Sequence, residues 1–189
     1  GFPVASPEDF ESVEKIAHEV QGCQIAGLCR AVRGDIDCAW EALKDHPNPL
    51  IHIFLATSDI HLEAKLHKTR EEVLAQVKEM VAYAKSMCPN IEFSAEDASR
   101  SDRDYLVQVF DAAQQAGASV LNIPDTVGYA TPAEMEELVR YVKAHLKHPD
   151  QAVLSVHCHN DLGMGVANSL AGMQGGADQI ECTVNGIGE

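Results

Sequence analysis

The sequence predicts an α/β protein with the (β/α)8 TIM-barrel fold, and three observations support that prediction. Six short apolar segments, which begin near residues 23, 51, 91, 119, 153 and 178, alternate strictly with amphipathic helical segments. Such alternation is typical of a parallel sheet with right-handed crossovers. No glycine-rich phosphate loop follows an early strand, which disfavours the open doubly wound sheet as the alternative. Polar residues follow most of the strands, as they do in barrels.

The strands are predicted from apolar stretches with alternating faces. Ile51, Ile53 and Leu55 face one way in such a stretch, whereas His52 and Phe54 face the other. The same reasoning places strands over residues 23–29, 50–56, 91–95, 119–123 and 179–184, and another over the apolar run 153–156. Residues 1–4 resemble the end of a further strand.

The helices are predicted from their caps and their apolar periodicity. Ser6 and Pro7 open the first helix, and Gly22 closes it. Further helix starts are predicted at Asp35, at Ser101 and at the capping boxes of Thr69 and Thr131, with stops at Pro89, Gly117 and Gly175. The last helix is expected to carry Val166, Leu170 and Met173. Residues 57–68 form a polar loop that is long for a simple connection.

Composition narrows the class of protein. The chain of 189 residues has 46% hydrophobic residues and reads as one domain, residues 1–189. Its 29 acidic and 14 basic residues give a formal charge of -15, which disfavours nucleic acid and anionic membranes as partners. The six cysteines show no C-x-x-C spacing, so we expect reduced thiols and a cytoplasmic location.

The most informative stretch is Ser155–Asp161, in which two histidines separated by one residue follow the apolar run 153–156. Side chains at positions i and i+2 of a strand point the same way, so His157 and His159 share a face and Cys158 lies on the other. Two adjacent imidazoles can chelate one divalent cation. Spacing alone leaves a second interpretation open, in which both are partly exposed histidines at a strand end.

An ordered set of motifs resembles one known family. The segments are Gly1-Phe2-Pro3, residues 54–61 (FLATSDIH), residues 93–100 (FSAEDASR), residues 124–129 (PDTVGY), residues 157–163 (HCHNDLG) and residues 185–189 (NGIGE). Together they resemble the 2-isopropylmalate synthase family, which belongs to a larger group of metal-dependent barrel enzymes that includes homocitrate synthase, citramalate synthase and hydroxymethylglutaryl-CoA lyase. The resemblance runs the length of the chain and favours the metal interpretation of the two histidines.

The chain also departs from the family pattern. The family opens with a strand that carries an Arg-Asp pair, and it has a further metal-ligating Asn beyond the NGIGE motif; neither is found in residues 1–189. The resemblance therefore implies an incomplete barrel, from the end of strand two to strand eight. We expect such a piece to be inactive by itself and poorly stable as a monomer, since its edge strands would lack partners.

The resemblance also implies the roles of individual residues. His157 and His159 would bind the metal, and Glu96 would be a catalytic residue that lines the site. His52, Ser94 and Thr126 would bind the substrate, an oxo acid, although His52 could equally be a core histidine. Asp125 and Asn185 could orient a ligating histidine, helix caps are favoured for Asn160 and Asp161, and Arg30 and Arg33 are left unassigned.

The implied reaction is a Claisen-type condensation of acetyl-CoA with 2-oxoisovalerate to 2-isopropylmalate, in leucine biosynthesis. The implied cofactor is a divalent cation, Mg²⁺, Mn²⁺ or Zn²⁺, that acts as a Lewis acid. The full-length enzyme is expected to be a homodimer. Two alternatives stay open: a sister synthase that uses another 2-oxo acid, to give citramalate or homocitrate, and a barrel fragment without enzymatic activity.

Overall fold

The computed structural model describes residues 1–187 of the chain. Six strands occur in this range: β1 Ile25–Arg30, β2 Pro49–Ala56, β3 Ile91–Glu96, β4 Val120–Asp125, β5 Val153–Cys158 and β6 Gln179–Glu181. The helices are α1 Pro7–Glu19, α2 Arg33–Leu43, α3 Asp59–His61, α4 Arg70–Lys85, α5 Arg103–Ala116, α6 Pro132–His145 and α7 Gly165–Gly175.

The strands form one parallel sheet in the order β1-β2-β3-β4-β5-β6. Each strand pairs with the next one along the chain, and the strand order never reverses among the described residues. A doubly wound sheet would reverse its strand order near the middle. The curled sheet is instead a half-barrel with helices between its strands, which confirms the predicted TIM-barrel class.

The two faces of the sheet differ as strand alternation predicts. On β2 and β3, Ile51, Ile53 and Phe93 are fully buried in the hydrophobic core, which also contains helix residues such as Phe110 and Leu106. Residues at the intervening positions point to the concave face. The convex face therefore supplies stability, because it buries apolar side chains against the helices, and the concave face is left for polar groups.

The predicted helix starts agree with the structure at α1, α4 and α6, whereas α2 begins at Arg33, two residues before the predicted Asp35, and α5 has a different cap. Thr69 and Thr131 each form the expected capping box, with Glu72 and Glu134. The cap of α5 is Asp102, whose carboxylate accepts the N–H of Tyr105 at 2.8 Å. The prediction of Ser101 was wrong, because the Ser101 hydroxyl donates to the carbonyl oxygen of Asp97 at 3.0 Å instead.

Three other segments differ from their predictions. The loop 57–68 contains α3 and a π-helical turn, Leu62–Leu66, so it is more ordered than expected. β6 ends at Glu181, before the predicted 184, and residues 184–186 form a 3-10 turn. α7 leaves Val166 and Leu170 exposed, since its packed face consists of small residues: Asn168, Ala171, Gly172 and Gly175.

Gly1 extends the sheet beside β1. Its amino group donates to the carbonyl oxygen of Ala26 at 3.3 Å, and its own carbonyl oxygen accepts the N–H of Leu28 at 2.7 Å. One residue bonded to positions i-1 and i+1 of its neighbour is the pattern of a parallel ladder. This agrees with the expectation that residues 1–4 resemble a strand end.

The described residues also bear on membrane spanning and on the state of the cysteines. No helix within residues 1–187 is both long and apolar enough to cross a membrane. All six cysteines are free thiols. Cys29 and Cys88 are buried, as expected of small hydrophobic residues, whereas Cys23 and Cys182 are exposed.

Candidate active site

The concave face of the sheet lines an open cavity of about 400 Å³. All six side chains that the sequence suggested line it, namely His52, Ser94, Glu96, Thr126, His157 and His159. They come from β2, from β3 and its end, and from the ends of β4 and β5. The carboxyl ends of parallel strands meet at one rim of a barrel, so residues up to 107 positions apart in the sequence share this cavity.

The two histidines of β5 lie side by side. His157 is within the strand and His159 follows its last residue. Their ring centroids are 5.0 Å apart, and the ring planes make an angle of 42°. Neutral imidazole is the commonest metal ligand in proteins, and two such rings at one cavity wall suit a divalent cation. The donor chemistry of the pair therefore fits the expected metal.

Glu181 on β6 holds His157 from the adjacent strand. Its Oε2 lies 3.0 Å from Nδ1 of His157, and its Oε1 accepts the hydroxyl of Ser155 at 2.9 Å. Gln179 donates in turn to Ser155 Oγ at 3.1 Å. The register explains these contacts, because β5 and β6 pair His157 with Glu181 and Ser155 with Gln179.

His52 and Ser94 form a second polar group on β2 and β3. His52 Nε2 lies 2.7 Å from Ser94 Oγ, which also accepts an N–H of Asn122 at 2.7 Å. Burial lowers the pKa of His52 to about 4, so its imidazole is neutral at neutral pH. His52 is thus both hydrogen-bonded and on the cavity wall, which joins the two interpretations that the sequence left open.

Glu92 is a buried carboxyl group beneath the cavity. It is 5% exposed, and its Oε1 has no hydrogen-bond partner. Burial and the neighbouring Glu181 raise the pKa of Glu92. Burial alone would also raise the pKa of Glu181, but hydrogen bonds from His157 and Glu92 lower it. One proton on Glu92 and none on Glu181 is the arrangement that avoids two adjacent negative charges.

His52, Glu92 and Glu181 could also hold a cation, since each has a potential ligand atom within 4.8 Å of the others. Sequence reasoning missed both glutamates. A usable signal existed for Glu92, because strand alternation places it on the same face as Ser94 and Glu96. Glu181 lies in a short strand with little local pattern, and its meaning depends on its register with His157.

Glu96 and Thr126 lie at the rim and both have protein partners. Lys65 Nζ donates to the two carboxylate oxygens of Glu96 at 2.6 and 2.9 Å. Thr126 Oγ1 accepts the backbone N–H of Asp97 at 2.9 Å. The Thr126 hydroxyl keeps its own proton for donation into the cavity. Lys65 was not expected, because it lies in the π-helical turn that the sequence did not reveal.

Other polar residues near the strand ends have local structural roles. Asp125 accepts the Ser99 hydroxyl at 2.8 Å and the Ala130 N–H at 3.1 Å, so its carboxylate stabilises a turn. The N-cap position of α7 is held by Met164 and not by Asn160 or Asp161, but Asn160 Oδ1 accepts the first N–H of the helix, from Gly165, at 3.0 Å. The two unassigned cations form ion pairs, Arg30 with the buried Asp35 and Arg33 with the exposed Glu79. Asn185 is exposed in the last turn.

Sequence comparisons place this chain among known proteins. A model of the HMGL-like family matches residues 1–189. The chain is 58% identical over 189 residues to a 2-isopropylmalate synthase of Dictyoglomus turgidum and 56% identical to one of Pyrococcus furiosus. Each alignment covers 100% of this chain and 38% of the relative. The chain thus spans well under half the length of these curated relatives.

Solved structures with a similar fold have low sequence identity to the chain. A hydroxymethylglutaryl-CoA lyase from Pseudomonas aeruginosa has a TM-score of 0.78 at 17% identity, covering 98% of this chain and 62% of that chain. An HMG-CoA lyase from Acenitobacter baumannii, solved with coenzyme A and 3-methylmalate, has a TM-score of 0.72 at 20% identity, covering 97% and 61%. These neighbours are TIM barrels, in agreement with the curled sheet.

Proposed function

The chain belongs to the HMGL-like family, and from that membership we propose that it forms part of the catalytic barrel of an acyltransferase that condenses acetyl-CoA with 2-oxoisovalerate to 2-isopropylmalate. One observation carries the proposal: a single cavity gathers two neighbouring imidazoles with the polar residues of four other strands. The sequence identity of 58% to a synthase of this name supports the choice of reaction.

The metal expected of this family would be held by His157 and His159. A divalent cation at this position would polarise the ketone of the 2-oxo acid and neutralise charge on the oxygen atoms bound to it. The family is generally dependent on a divalent metal, and the two imidazoles supply part of a ligand set that Mg²⁺, Mn²⁺ or Zn²⁺ can accept.

The remaining side chains would bind and orient the 2-oxo acid. The Thr126 hydroxyl donates a hydrogen bond to the substrate carboxylate, and Ser94 and His52 border the same space. Glu96 lies at the rim, where Lys65 fixes its carboxylate with two hydrogen bonds. Such fixed dipoles and charges need no reorganisation when charge develops on the reacting atoms.

The lining of the cavity favours an apolar substrate side chain. Leu28, Phe54 and Pro124 contribute apolar surface, and no lysine or arginine side chain is among the described lining residues. A second carboxylate on the substrate would lie near Glu181 and Glu96, and none of the described lining residues is a lysine or arginine that could pair with it. These features support 2-oxoisovalerate over 2-oxoglutarate.

A second cavity supports a reaction of two substrates. It has a volume of about 440 Å³ and shares Phe54 and Glu96 with the first cavity. Two adjoining spaces that meet at a carboxylate suit a reaction in which an acyl thioester and a 2-oxo acid must be held next to each other.

The metal site is tested by a double variant, His157→Ala with His159→Ala. We expect it to bind Mn²⁺ much more weakly than the unchanged chain in calorimetry, because both imidazole donors are lost. The matched control is His18→Ala with His145→Ala, which removes two exposed histidines from helices. Equal Mn²⁺ uptake by the double variant and the unchanged chain would contradict the assignment.

The substrate is tested by steady-state kinetics in an enzyme of the relatives' full length that carries this chain. We expect the highest kcat/KM for 2-oxoisovalerate, because the cavity offers apolar surface and hydrogen bonds for one carboxylate. Release of CoA from acetyl-CoA is the measurement. A higher kcat/KM for 2-oxoglutarate would reject this substrate in favour of a homocitrate-type reaction, and one for pyruvate would favour citramalate.

A further inference from the structure

We propose that Glu181 is a positioning residue, which accepts the Nδ1–H of His157 and so holds this imidazole in the tautomer that presents Nε2 to a divalent cation. The inference rests on the proposed function, because it assumes that His157 is a metal ligand. It concerns a residue on a different strand, which neither the sequence pattern nor the family resemblance had suggested.

The hydrogen-bond geometry determines the tautomer. Glu181 Oε2 lies 3.0 Å from His157 Nδ1, and an ionised carboxylate can only accept hydrogen bonds. The proton of a neutral His157 must therefore be on Nδ1. The lone pair of the ring is then on Nε2, and His157 lines the cavity. A metal can bind only the unprotonated nitrogen, so this contact selects the nitrogen that can become a ligand.

The carboxylate of Glu181 is itself held on both oxygens. Ser155 donates its hydroxyl to Oε1 at 2.9 Å, and Gln179 donates to that same hydroxyl oxygen at 3.1 Å. Both Ser155 and His157 lie on β5, and they pair in register with Gln179 and Glu181 on β6. Parallel strands thus fix the carboxylate from two sides, so it cannot rotate away from His157 without breaking a hydrogen bond.

A direct metal-binding role for Glu181 fits the structure less well. The competing site would combine Glu181 with His52 and Glu92. Both oxygens of Glu181 already accept hydrogen bonds, and His52 Nε2 is 2.7 Å from Ser94 Oγ. A cation among these three side chains would have to replace those contacts in a buried space where Glu92 is only 5% exposed. Desolvating a cation there is costly.

Outer carboxylates of this kind have measurable effects in other metal sites. A carboxylate that accepts the second N–H of a ligating histidine fixes the tautomer and the orientation of the ring, and it raises the basicity of the ligand. Loss of such a partner typically weakens metal binding by about 10–100-fold. We expect a loss of metal affinity of the same size when the carboxylate of Glu181 is removed.

The experiment combines a tautomer measurement with a metal affinity. Nitrogen NMR of the chain labelled at histidine reports which ring nitrogen of His157 carries the proton, in the absence of metal. Calorimetry with Mn²⁺ reports affinity. The variants are Glu181→Ala, which removes the acceptor, and Glu181→Gln, whose amide oxygen can still accept the Nδ1–H. Glu79→Gln is the control, since Glu79 pairs with Arg33 on the surface.

We expect Glu181→Ala to lose the single Nδ1–H tautomer and to bind Mn²⁺ about 10–100-fold more weakly. Glu181→Gln should restore the tautomer and most of the affinity, which a role in folding alone would not produce. Glu79→Gln should match the unchanged chain. An unchanged tautomer in Glu181→Ala, with Mn²⁺ binding that still depends on His157, overturns this proposal alone.

Two further outcomes would also overturn the proposal. If Glu92→Gln weakens Mn²⁺ binding as much as Glu181→Ala while His157→Ala does not, the cation binds at the buried cluster and Glu181 is a direct ligand. If the double variant of His157 and His159 leaves Mn²⁺ binding unchanged, the proposed metal site fails, and the positioning role fails with it. The two failures are therefore distinguishable.

Discussion

At the scale of single residues, Asp97 connects the rim of the cavity to the segment after β2. Its backbone adopts φ 66°, in the left-handed region that aspartate tolerates better than most residues. Its buried carboxylate accepts hydrogen bonds from Ser58 at 2.5 Å and from Arg100 Nε at 2.8 Å. Its N–H donates to Thr126. The carboxylate therefore fixes the residue whose backbone N–H binds the threonine that we assign to the substrate.

We expect Asp97→Asn to lower the free energy of unfolding by about 1–3 kcal/mol at pH 7, because hydrogen bonds to a charged group are lost. Burial alone raises the pKa of Asp97, but Arg100 and Ser58 lower it below its usual 3.8. A carboxyl group with a depressed folded pKa stabilises the fold above its unfolded pKa and loses that contribution as the pH falls through the folded value. The difference between the two proteins should therefore shrink below pH 3.8.

Urea unfolding of both proteins at pH 7 and near pH 3 measures this effect. Asp150→Asn is a suitable control, since Asp150 is exposed in a short turn. A stability difference between Asp97→Asn and the unchanged chain that is the same at both pH values would contradict the role assigned to the carboxylate.

At the scale of elements, α7 shows how a helix can approach its neighbours through small residues. A Cβ added at Gly172 would lie 2.9 Å from a methyl carbon of Val156 on β5. A Cβ at Gly175 would lie 2.5 Å from the carbonyl oxygen of Glu136 on α6. The glycines thus allow α7 to pack closely on both β5 and α6. The larger residues Val166 and Leu170 are exposed for the same reason.

We expect Gly175→Ala to destabilise the protein by about 1–3 kcal/mol, because the backbones of α6 and α7 must move apart. Gly34→Ala is the matched control. Outside its chain neighbours and the backbone of its own helix, no heavy atom lies within 4 Å of the Cβ position at Gly34, and alanine favours a helix over glycine by up to about 1 kcal/mol. Thermal unfolding should lower the Tm of the first variant and leave or raise that of the second. Equal Tm values for the two variants would mean that the close packing of α7 on α6 does not contribute to stability.

At the scale of the whole molecule, the strands of the half-barrel differ in how well burial protects their backbone amides from hydrogen exchange. β3 and β4 lie in the middle of the sheet, and nearly all of their residues are buried. β6 has only three residues, all at least partly exposed, and it is hydrogen-bonded to β5 alone among the described strands. Local opening requires fewer broken contacts where burial is low.

Hydrogen exchange should therefore be slowest in β3 and β4 and much faster in β6, as read by mass spectrometry of peptides from the native chain. The reason is that exchange in the buried strands requires opening of the core, whereas β6 can separate from β5 locally. Peptides from α4, which packs on β2 and β3, supply an internal reference for the core. If the amides of β6 exchanged as slowly as those of β3, this prediction would be contradicted.

Much of this architecture follows from local patterns. Alternating apolar and polar positions around His52 predict a strand there, and the same alternation on the next strand places Ser94 and Glu96 on one face. Successive side chains of a strand point to opposite faces, so the position of a residue along the strand is enough to predict its face. The capping boxes at Thr69 and Thr131 predict helix starts to the residue, since their hydrogen bonds span three positions. The predicted cap at Ser101 failed because a longer-range contact with Asp97 competed for its hydroxyl.

The sequence by itself determined the alternating order of strands and helices, the TIM-barrel class and the pair His157 and His159 on one face. These features depend on neighbours within one element. Only the tertiary structure decided that Glu181 binds His157, 24 residues away, and that Lys65 binds Glu96, 31 residues away. Such contacts depend on strand register and on the curvature of the sheet, which no local periodicity encodes.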